Sequence, residues 1–186
     1  DCGTVRAGHQ GQVRCRDLRA GRHFAWGVPP ASAAAPIPDR LFTGRYQFAV
    51  IHTPGHSDDH MCLLEPNEGW LFSGDLFLSE QAQVLRSDQD AGQILTSSRR
   101  LLDYDIKVIF CSSGRIAKDG KRALAAKIES WKNLAAEACQ LNRQGRQPEE
   151  IREMLLGQES SLYGHSEGDC GKIHLINSLN LCPESH

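Results

Sequence analysis

Two stretches decide how this chain folds: His52-Thr53-Pro54-Gly55-His56-Ser57-Asp58-Asp59-His60 and Phe72-Ser73-Gly74-Asp75. Each ends an apolar run, so each predicts a strand followed by a loop that carries imidazole or carboxylate groups. Pro54 fixes φ and Gly55 permits a tight backbone. The turn that they form can therefore direct the His56 ring beyond the sheet edge. Histidine and aspartate are ligands of zinc, iron and manganese. The two stretches therefore predict a metal site where two strands end.

The composition is that of one globular core with room for an appendage. Of the 186 residues, 40% are apolar and 24% are charged, which is ordinary for a folded protein. A net charge of −2 and a pI near 6.5 argue against nucleic acid as a partner. No apolar run approaches the ~20 residues of a membrane span, and no signal peptide is visible. The sequence thus predicts neither a nucleic-acid partner nor a membrane partner.

The cysteines indicate a reducing compartment. The chain has seven, an odd number, and none stands in a C-x-x-C pair. This pattern favours free thiols over a disulfide framework or a zinc ribbon. A cytoplasmic location is therefore predicted, and a single regulatory disulfide stays open as an alternative.

The residue pattern changes at Lys118. Before it, the residue pattern predicts strands at 46–52, 61–64, 70–72 and 107–111 and helices at 12–20 and 91–102. After it, we expect a long helix capped by Asp119, a second helix opened by Pro148 and a third over residues 172–181. Residues 1–117 are interpreted as one domain and residues 118–186 as a C-terminal helical extension packed on it. Strands first and helices later are typical of an α/β chain with a helical tail, or of an α+β chain.

The two motifs and their separation resemble those of the metallo-β-lactamase-fold hydrolase superfamily. The tail after Lys118 is similar to that of members with a C-terminal helical extension. The resemblance implies an α/β fold, an αββα metallo-β-lactamase-like sandwich that is incomplete here and carries a helical tail. It also implies that His56 is a metal ligand and that Asp75 bridges two metals. His52 and His60 match positions that members often fill without binding metal.

The main signature of that family, HxHxDH, is missing or degenerate in this chain. The best match is residues 4–11, where His9 keeps the last histidine. On this alignment Thr4 and Arg6 replace histidines, and Gly8 replaces the aspartate. A guanidinium group cannot coordinate a metal and brings a positive charge to the site. The alignment therefore leaves only His9 as a ligand from this motif.

A second departure concerns the last metal ligand of the family. Ser113 stands where relatives commonly carry a histidine before glycine, and a hydroxyl is a poor zinc ligand beside imidazole. The predicted metal ligands are thus His56, Asp75 and His9, which would hold one zinc or iron ion at most. A satisfied hydrogen bond between His56 and Asp75 is the alternative interpretation of that pair. No catalytic residue is assigned.

The chain also starts too late to contain the strands that precede HxHxDH in this fold. An open sheet edge and an uncovered apolar face seldom stay bare in solution. A second copy of the chain, a rearranged N-terminus or a further segment would cover them. A homodimer is the prediction, because two-fold assemblies dominate among oligomers.

Two functions remain open at this point. The first is a metal-dependent hydrolase of a small ester or thioester, with a degenerate metal site and low or no activity. The second is a non-catalytic descendant of the fold that binds a small-molecule ligand or a partner. The resemblance favours the first and the short ligand set favours the second, so whether the chain is an enzyme is left undecided by its sequence.

Overall fold

The computed structural model describes residues 37–81 and 84–179, together with the backbone of strands β1 (Val5–Ala7) and β2 (Gln12–Val13). The predicted ligand His9 lies outside the described residues, as do Thr4, Gly8 and most of the predicted helix 12–20. The first two residues of that predicted helix are in a strand, since β2 pairs antiparallel with β1. The prediction of a helix is therefore wrong at Gln12–Val13.

One mixed sheet organises the described part of the chain. After β1 and β2 its strands are β3 (Arg40–Phe42), β4 (Gln47–His52), β5 (Met61–Glu65), β6 (Trp70–Gly74), β8 (Val108–Cys111) and β9 (Ile116–Ala117). The order across the sheet is β2-β1-β3-β4-β5-β6-β8-β9. Only β6 and β8 are parallel neighbours, and a parallel pair needs a crossover connection. That connection contains β7 (Leu85–Arg86) and helix α1 (Ala91–Leu101).

The C-terminal part is helical, as the sequence predicts. It contains α2 (Gly120–Arg143), α3 (Pro148–Leu156), α4 (Ser161–His165) and α5 (Lys172–Ser178). The Asp119 side chain caps α2 by accepting a hydrogen bond from the Arg122 backbone N–H. A short strand, β10 (Cys170–Gly171), pairs with β7 and ties this part to the loop before α1. The division of the chain into two domains at Lys118 stays a prediction.

The buried face of the sheet packs against α1 and α2. Alternate strand residues point to opposite faces, and on this face lie Ile51, Cys62, Leu64, Leu71 and Ile109, all at most 5% exposed. They form one core with apolar residues of the two helices. A smaller core of Ala138, Ile151 and Ile176 joins α2, α3 and α5. The two cores place the C-terminal helices beside the strand ends that carry the predicted site.

The opposite face carries what we call the apolar row, which crosses five strands. Its members are paired residue to residue across the sheet: Val50, Leu63, Phe72, Phe110 and Ile116. Phe72 is 39% exposed and Ile116 is 55% exposed. Phe72 and Phe110 stack, with ring centroids 5.0 Å apart. This face therefore combines sandwich-like apolar side chains with substantial exposure.

The structure bears on two further predictions, that the cysteines are free thiols and that no segment spans a membrane. Cys62, Cys111 and Cys170 are free, but Cys139 is disulfide-bonded, so the expectation of free thiols is wrong at that position. In the part of the chain that the structure describes, no helix is both long and apolar enough to cross a membrane.

Candidate functional site

The side chains of His56 and Asp75 face each other in the loops that follow strands β4 and β6. His56 lies in the loop between β4 and β5, and Asp75 follows β6 directly. The distance between His56 Nε2 and Asp75 Oδ2 is 3.3 Å, and the two side chains are 29% and 41% exposed. The structure thus brings together two of the three predicted ligands in a partly open position.

The loop that carries His56 is closed by its own backbone and held against α1. Its ends meet through the hydrogen bond from Thr53 N to His60 O, at 2.8 Å. The Ser97 hydroxyl of α1 donates to Pro54 O at 2.7 Å. Gly55 has a φ of +130°, a value that only glycine adopts readily. A Cβ at this position would stand 2.4 Å from the backbone N of Ile94 in α1. The loop can therefore approach α1 only because residue 55 has no side chain.

Gly74, at the end of β6, likewise allows a close approach that a residue with a side chain would prevent. Its φ is +52°, and a Cβ there would stand 2.8 Å from His60 Nε2. The ring of His60 lies 5.6 Å from the ring of His56, centroid to centroid. Glycine at position 74 thus lets the β6 end pass beneath the histidines and places Asp75 opposite His56.

The outer atoms of the pair are held by two residues that the sequence analysis missed. Gln89 Nε2 lies 2.6 Å from His56 Nδ1, and the Ser112 hydroxyl donates a short hydrogen bond to Asp75 Oδ1. Ser113, the residue aligned with the last family ligand, instead contacts Cys111 Sγ at 3.0 Å. No sequence signal pointed to Gln89. The parallel pairing of β6 and β8 was the one feature that would have placed Ser112 beside Asp75.

The role of the pair depends on which His56 nitrogen carries the proton. If the Gln89 amide donates to Nδ1, then Nε2–H donates to Asp75, and the pair is a satisfied hydrogen bond. If the Gln89 amide oxygen accepts from Nδ1–H, the Nε2 lone pair faces a carboxylate, and a cation or proton between them is required. The 3.3 Å separation is beyond the usual N–H···O range of about 2.7–3.2 Å. The structure places the Gln89 amide nitrogen, a donor, at Nδ1, so it shows the first arrangement with a long contact to Asp75.

His52 and His60 belong to the scaffold rather than to the pair. His52 Nε2 lies 2.6 Å from the backbone oxygen of Asp58 and ties the loop to itself. His60 Nδ1 lies 2.8 Å from the hydroxyl of buried Thr53. Burial, helped by nearby His56, lowers the pKa of His60 and favours its neutral form. Both contacts agree with the sequence interpretation of these histidines as loop or outer residues.

The described residues supply only part of a metal site. His56 Nε2 and Asp75 Oδ2 are suitable donors for zinc or iron, and Gln89 and Ser112 orient them as outer partners do around bound metals. A catalytic zinc, however, is held by about three protein ligands. Across residues 37–81 and 84–179, no three His, Cys, Asp or Glu side chains are gathered closely enough to hold an ion. We therefore derive no reaction step through a metal.

A cavity of about 240 Å³ opens beside the pair. His56, Asp75 and Gln89 form part of its wall, and most of the remainder is apolar. The apolar lining comes from the segment after β6, from α1 and from α4: Leu78, Val84, Leu85, Ile94 and Leu162. The partly exposed pair thus stands at the edge of an apolar space large enough for a small organic group.

The fold and this site resemble those of a known class of proteins. A family model described as metallo-β-lactamase superfamily matches residues 39–113, which include both motifs. A metallo-β-lactamase family protein from Thermus thermophilus superposes with a TM-score of 0.60 over 81% of this chain and 48% of that chain, at 18% identity. That likeness concerns the fold. Residues 39–113 therefore belong to the metallo-β-lactamase superfamily.

Two curated relatives match a shorter segment. A β-lactamase-like protein 2 homolog of Drosophila melanogaster is 39% identical over 70 residues, which is 38% of this chain and 23% of that protein. An atrochrysone carboxyl ACP thioesterase of Claviceps purpurea is 33% identical over 70 residues, covering 38% of this chain and 22% of that protein. The chain therefore aligns with less than a quarter of these relatives' length.

Proposed function

We propose that this chain is a hydrolase that acts on a small ester or thioester. The observation that carries the proposal is the contact between His56 and Asp75, supported on both outer sides and placed at the rim of an apolar cavity. The superfamily contains hydrolases, and the Claviceps purpurea relative is a thioesterase. An acyl group in the cavity would bring its carbonyl carbon near the two side chains.

His56 and Asp75 would act on the water that attacks the carbonyl. Ser112 holds Asp75 at Oδ1 and Gln89 holds His56 at Nδ1, so that Asp75 Oδ2 and His56 Nε2 lie side by side at the cavity. Two such groups can orient a water molecule and take up its proton as the carbon–oxygen bond forms. The proton then leaves with the alcohol or thiol. This role needs one ordered water between the pair and the substrate carbonyl.

A metal-assisted version, with zinc or iron, remains part of the proposal. The donor types of His56 and Asp75 and their oriented outer contacts support one ion at most from the described residues. His9 remains the proposed third ligand. We also keep a cytoplasmic location as a proposal, which the free thiols of Cys62, Cys111 and Cys170 support and the disulfide at Cys139 opposes.

His56→Ala tests the proposal. We expect the purified chain to hydrolyse an acyl thioester or aryl ester, and His56→Ala to lower kcat/KM by at least about 100-fold, in the range seen for loss of an acid–base group. Rates are measured on a thioester series, with and without added zinc and iron. His165→Ala is the control, because His165 lies in α4 and bonds to the backbone oxygen of Ser161. Hydrolysis that is equal in both variants, or no hydrolysis under any condition, would contradict the proposal.

The second candidate is a non-catalytic ligand-binding protein. The incomplete ligand set in the described residues favours it, as does the tautomer in which His56 simply donates to Asp75. In that case zinc would not raise the melting temperature, whereas an ion bound at the pair would raise it through preferential binding to the folded state. The same measurement with His56→Ala assigns any shift to this site.

We also propose that the chain forms a homodimer through the apolar row. Two-fold packing of this face would bury Phe72 and Ile116, which are now exposed. Light scattering after size exclusion should give twice the mass of one chain, and Phe72→Lys should give the mass of a single chain. Met154→Lys is the matched control, because Met154 is 58% exposed but lies on α3. A wild-type protein that stays monomeric at micromolar concentration would refute the dimer.

A further inference from the structure

The cavity beside His56 and Asp75 has a polar end that the proposed hydrolysis does not use. Lys127 and Trp131 of α2 both line it, and their side chains are each 4% exposed. They are four residues apart, so they project from the same face of the helix one turn from each other. The Lys127 ammonium lies 4.8 Å from the centroid of the Trp131 ring. A mostly apolar cavity, whose wall also includes Arg86, thus contains a buried cation and an indole side by side.

The hydrogen-bonding capacity of Lys127 is largely unspent. An ammonium group has three N–H donors, and Lys127 Nζ donates to the backbone oxygen of Leu76 at 2.5 Å. That is its one hydrogen bond within the described residues. Burial of an ammonium is costly unless its charge is compensated. Lys127 Nζ lies over the rings of Phe77 and Trp131, and the titratable group that acts on its pKa is the Cys62 thiol, which burial keeps protonated by raising its own pKa. No carboxylate of the described residues forms an ion pair with Lys127.

Trp131 offers a second donor that lacks an acceptor. Its Nε1 is buried and has no hydrogen-bond partner in the described part of the chain. Buried indole N–H groups usually find a partner, and a buried donor left without an acceptor destabilises the folded chain. A buried indole N–H without an acceptor, beside an ammonium that has made one hydrogen bond, is the arrangement expected where an external acceptor binds.

We propose that this cavity binds the acyl part of the substrate, and that Lys127 Nζ and Trp131 Nε1 donate hydrogen bonds to an anionic oxygen on it. This inference rests on the proposed hydrolase function. The ligand class is an aromatic or short aliphatic acyl group that carries a carboxylate or phenolate oxygen. Leu78, Val84, Leu85 and Leu162 contact its apolar body, and Lys127 neutralises its charge.

The volume of the cavity agrees with this class. A cavity of roughly 150 Å³ admits one benzene ring, so about 240 Å³ has room for a single ring with substituents or for a fused pair of rings. The position of the donors sets the orientation. Leu76, the acceptor of Lys127, directly follows Asp75 in the chain, so an acyl group anchored at Lys127 lies along the path toward the His56–Asp75 pair.

The test measures the affinity of the chain for 2-naphthoate by calorimetry at pH 7. No substrate is hydrolysed in this measurement. We expect 2-naphthoate to bind the wild-type chain with a millimolar or lower Kd. The same ring with reversed charge, 2-naphthylmethylammonium, should bind at least tenfold more weakly. Lys127→Met should weaken 2-naphthoate binding at least tenfold and Trp131→Phe about fivefold, in line with loss of a charge-assisted and a neutral hydrogen bond.

Trp70→Phe is the matched control, because Trp70 lies in β6 and packs with aromatic side chains away from the cavity. It should leave the Kd unchanged, and melting curves confirm that each variant is folded. Absence of 2-naphthoate binding at millimolar concentration, equal affinity in all four proteins, or equal binding of the two ligands overturns the inference. Binding without any hydrolysis in the thioester assay would refute the hydrolase and leave the anion-binding cavity in place.

Discussion

Gly55→Ala is expected to lower the free energy of unfolding by at least about 3 kcal/mol. Two costs add at this position. The φ of +130° is strained for any residue with a Cβ, and the added carbon would meet the backbone N of Ile94 at 2.4 Å and its Cγ1 at 2.7 Å. A side chain can move aside, but the backbone of α1 can do so only if the helix shifts. The substitution therefore separates the loop from α1.

The same shift would disturb the site. Gly55 O accepts from Asp90 N at 2.9 Å, and Asp90 caps α1 through the backbone of Gln93. Gln89, which contacts His56, stands immediately before this cap. We therefore expect any folded fraction of Gly55→Ala to lose hydrolytic activity as well as stability.

Urea unfolding followed by circular dichroism measures the effect. Gly145→Ala is the control, because Gly145 has a φ of +82° but nothing within 4 Å of its Cβ position. It isolates the cost of backbone strain, about 1 kcal/mol, from the cost of the clash. If the two variants lose the same free energy, contact with Ile94 is not what requires glycine at position 55.

The second large effect concerns the pH dependence of stability at Lys127. Burial lowers the pKa of this lysine from 10.5 to about 8. At pH 7 the amine is charged in both the folded and the unfolded chain, and keeping it charged in the fold costs about 3 kcal/mol. Between about pH 8 and pH 10.5 the unfolded chain holds the proton that the folded chain has released. Stability contributed by this group therefore rises with pH across that window.

Lys127→Met removes this dependence. It also removes the hydrogen bond to Leu76 O, whose loss costs about 1–2 kcal/mol. We expect the variant to be more stable than wild type by about 1–2 kcal/mol at pH 7 and less stable at pH 10. The difference between the two proteins should change by about 2–3 kcal/mol over that range.

Urea titrations at pH 7 and pH 10 check this expectation. Burial raises the pKa of the Cys62 thiol to about 12, so its ionisation in the unfolded chain destabilises both proteins alike above about pH 9. The comparison with the variant removes that contribution. Lys132→Met, at an exposed position in the same helix, should shift stability equally at both pH values. A pH-independent difference for Lys127→Met would contradict the prediction.

A lysine that destabilises its own fold usually has a functional reason, because sites for ligands are often built from groups that are unfavourable without the ligand. The stability measurement and the binding measurement thus examine the same side chain from two directions. Replacement by methionine should raise stability at pH 7 and weaken 2-naphthoate binding.

The sequence determined the local framework of the protein. Apolar runs and breaker residues were enough to predict β4, β5, β6 and β8, because a strand is encoded by its own few residues. Asp119 and Pro148 likewise marked the starts of α2 and α3 through capping and dipole preferences that act within one turn. The five-residue helix α4 was missed and the strand at Gln12–Val13 was predicted as helix, because short elements depend on their packing and pairing partners rather than on periodicity.

Only part of the candidate site could be predicted from the sequence. His56 and Asp75 were found because each follows a strand within a compact motif, whereas the partners that orient them come from far along the chain. Gln89 is 33 residues from His56, Ser112 is 37 residues from Asp75, and Lys127 reaches Leu76 across 51 residues. These contacts exist because β6 and β8 lie parallel and because α2 packs on the sheet. Residues close together in the sequence therefore determine the motif. The packing of the helices on the sheet determines the cavity and the hydrogen-bond donors in its wall.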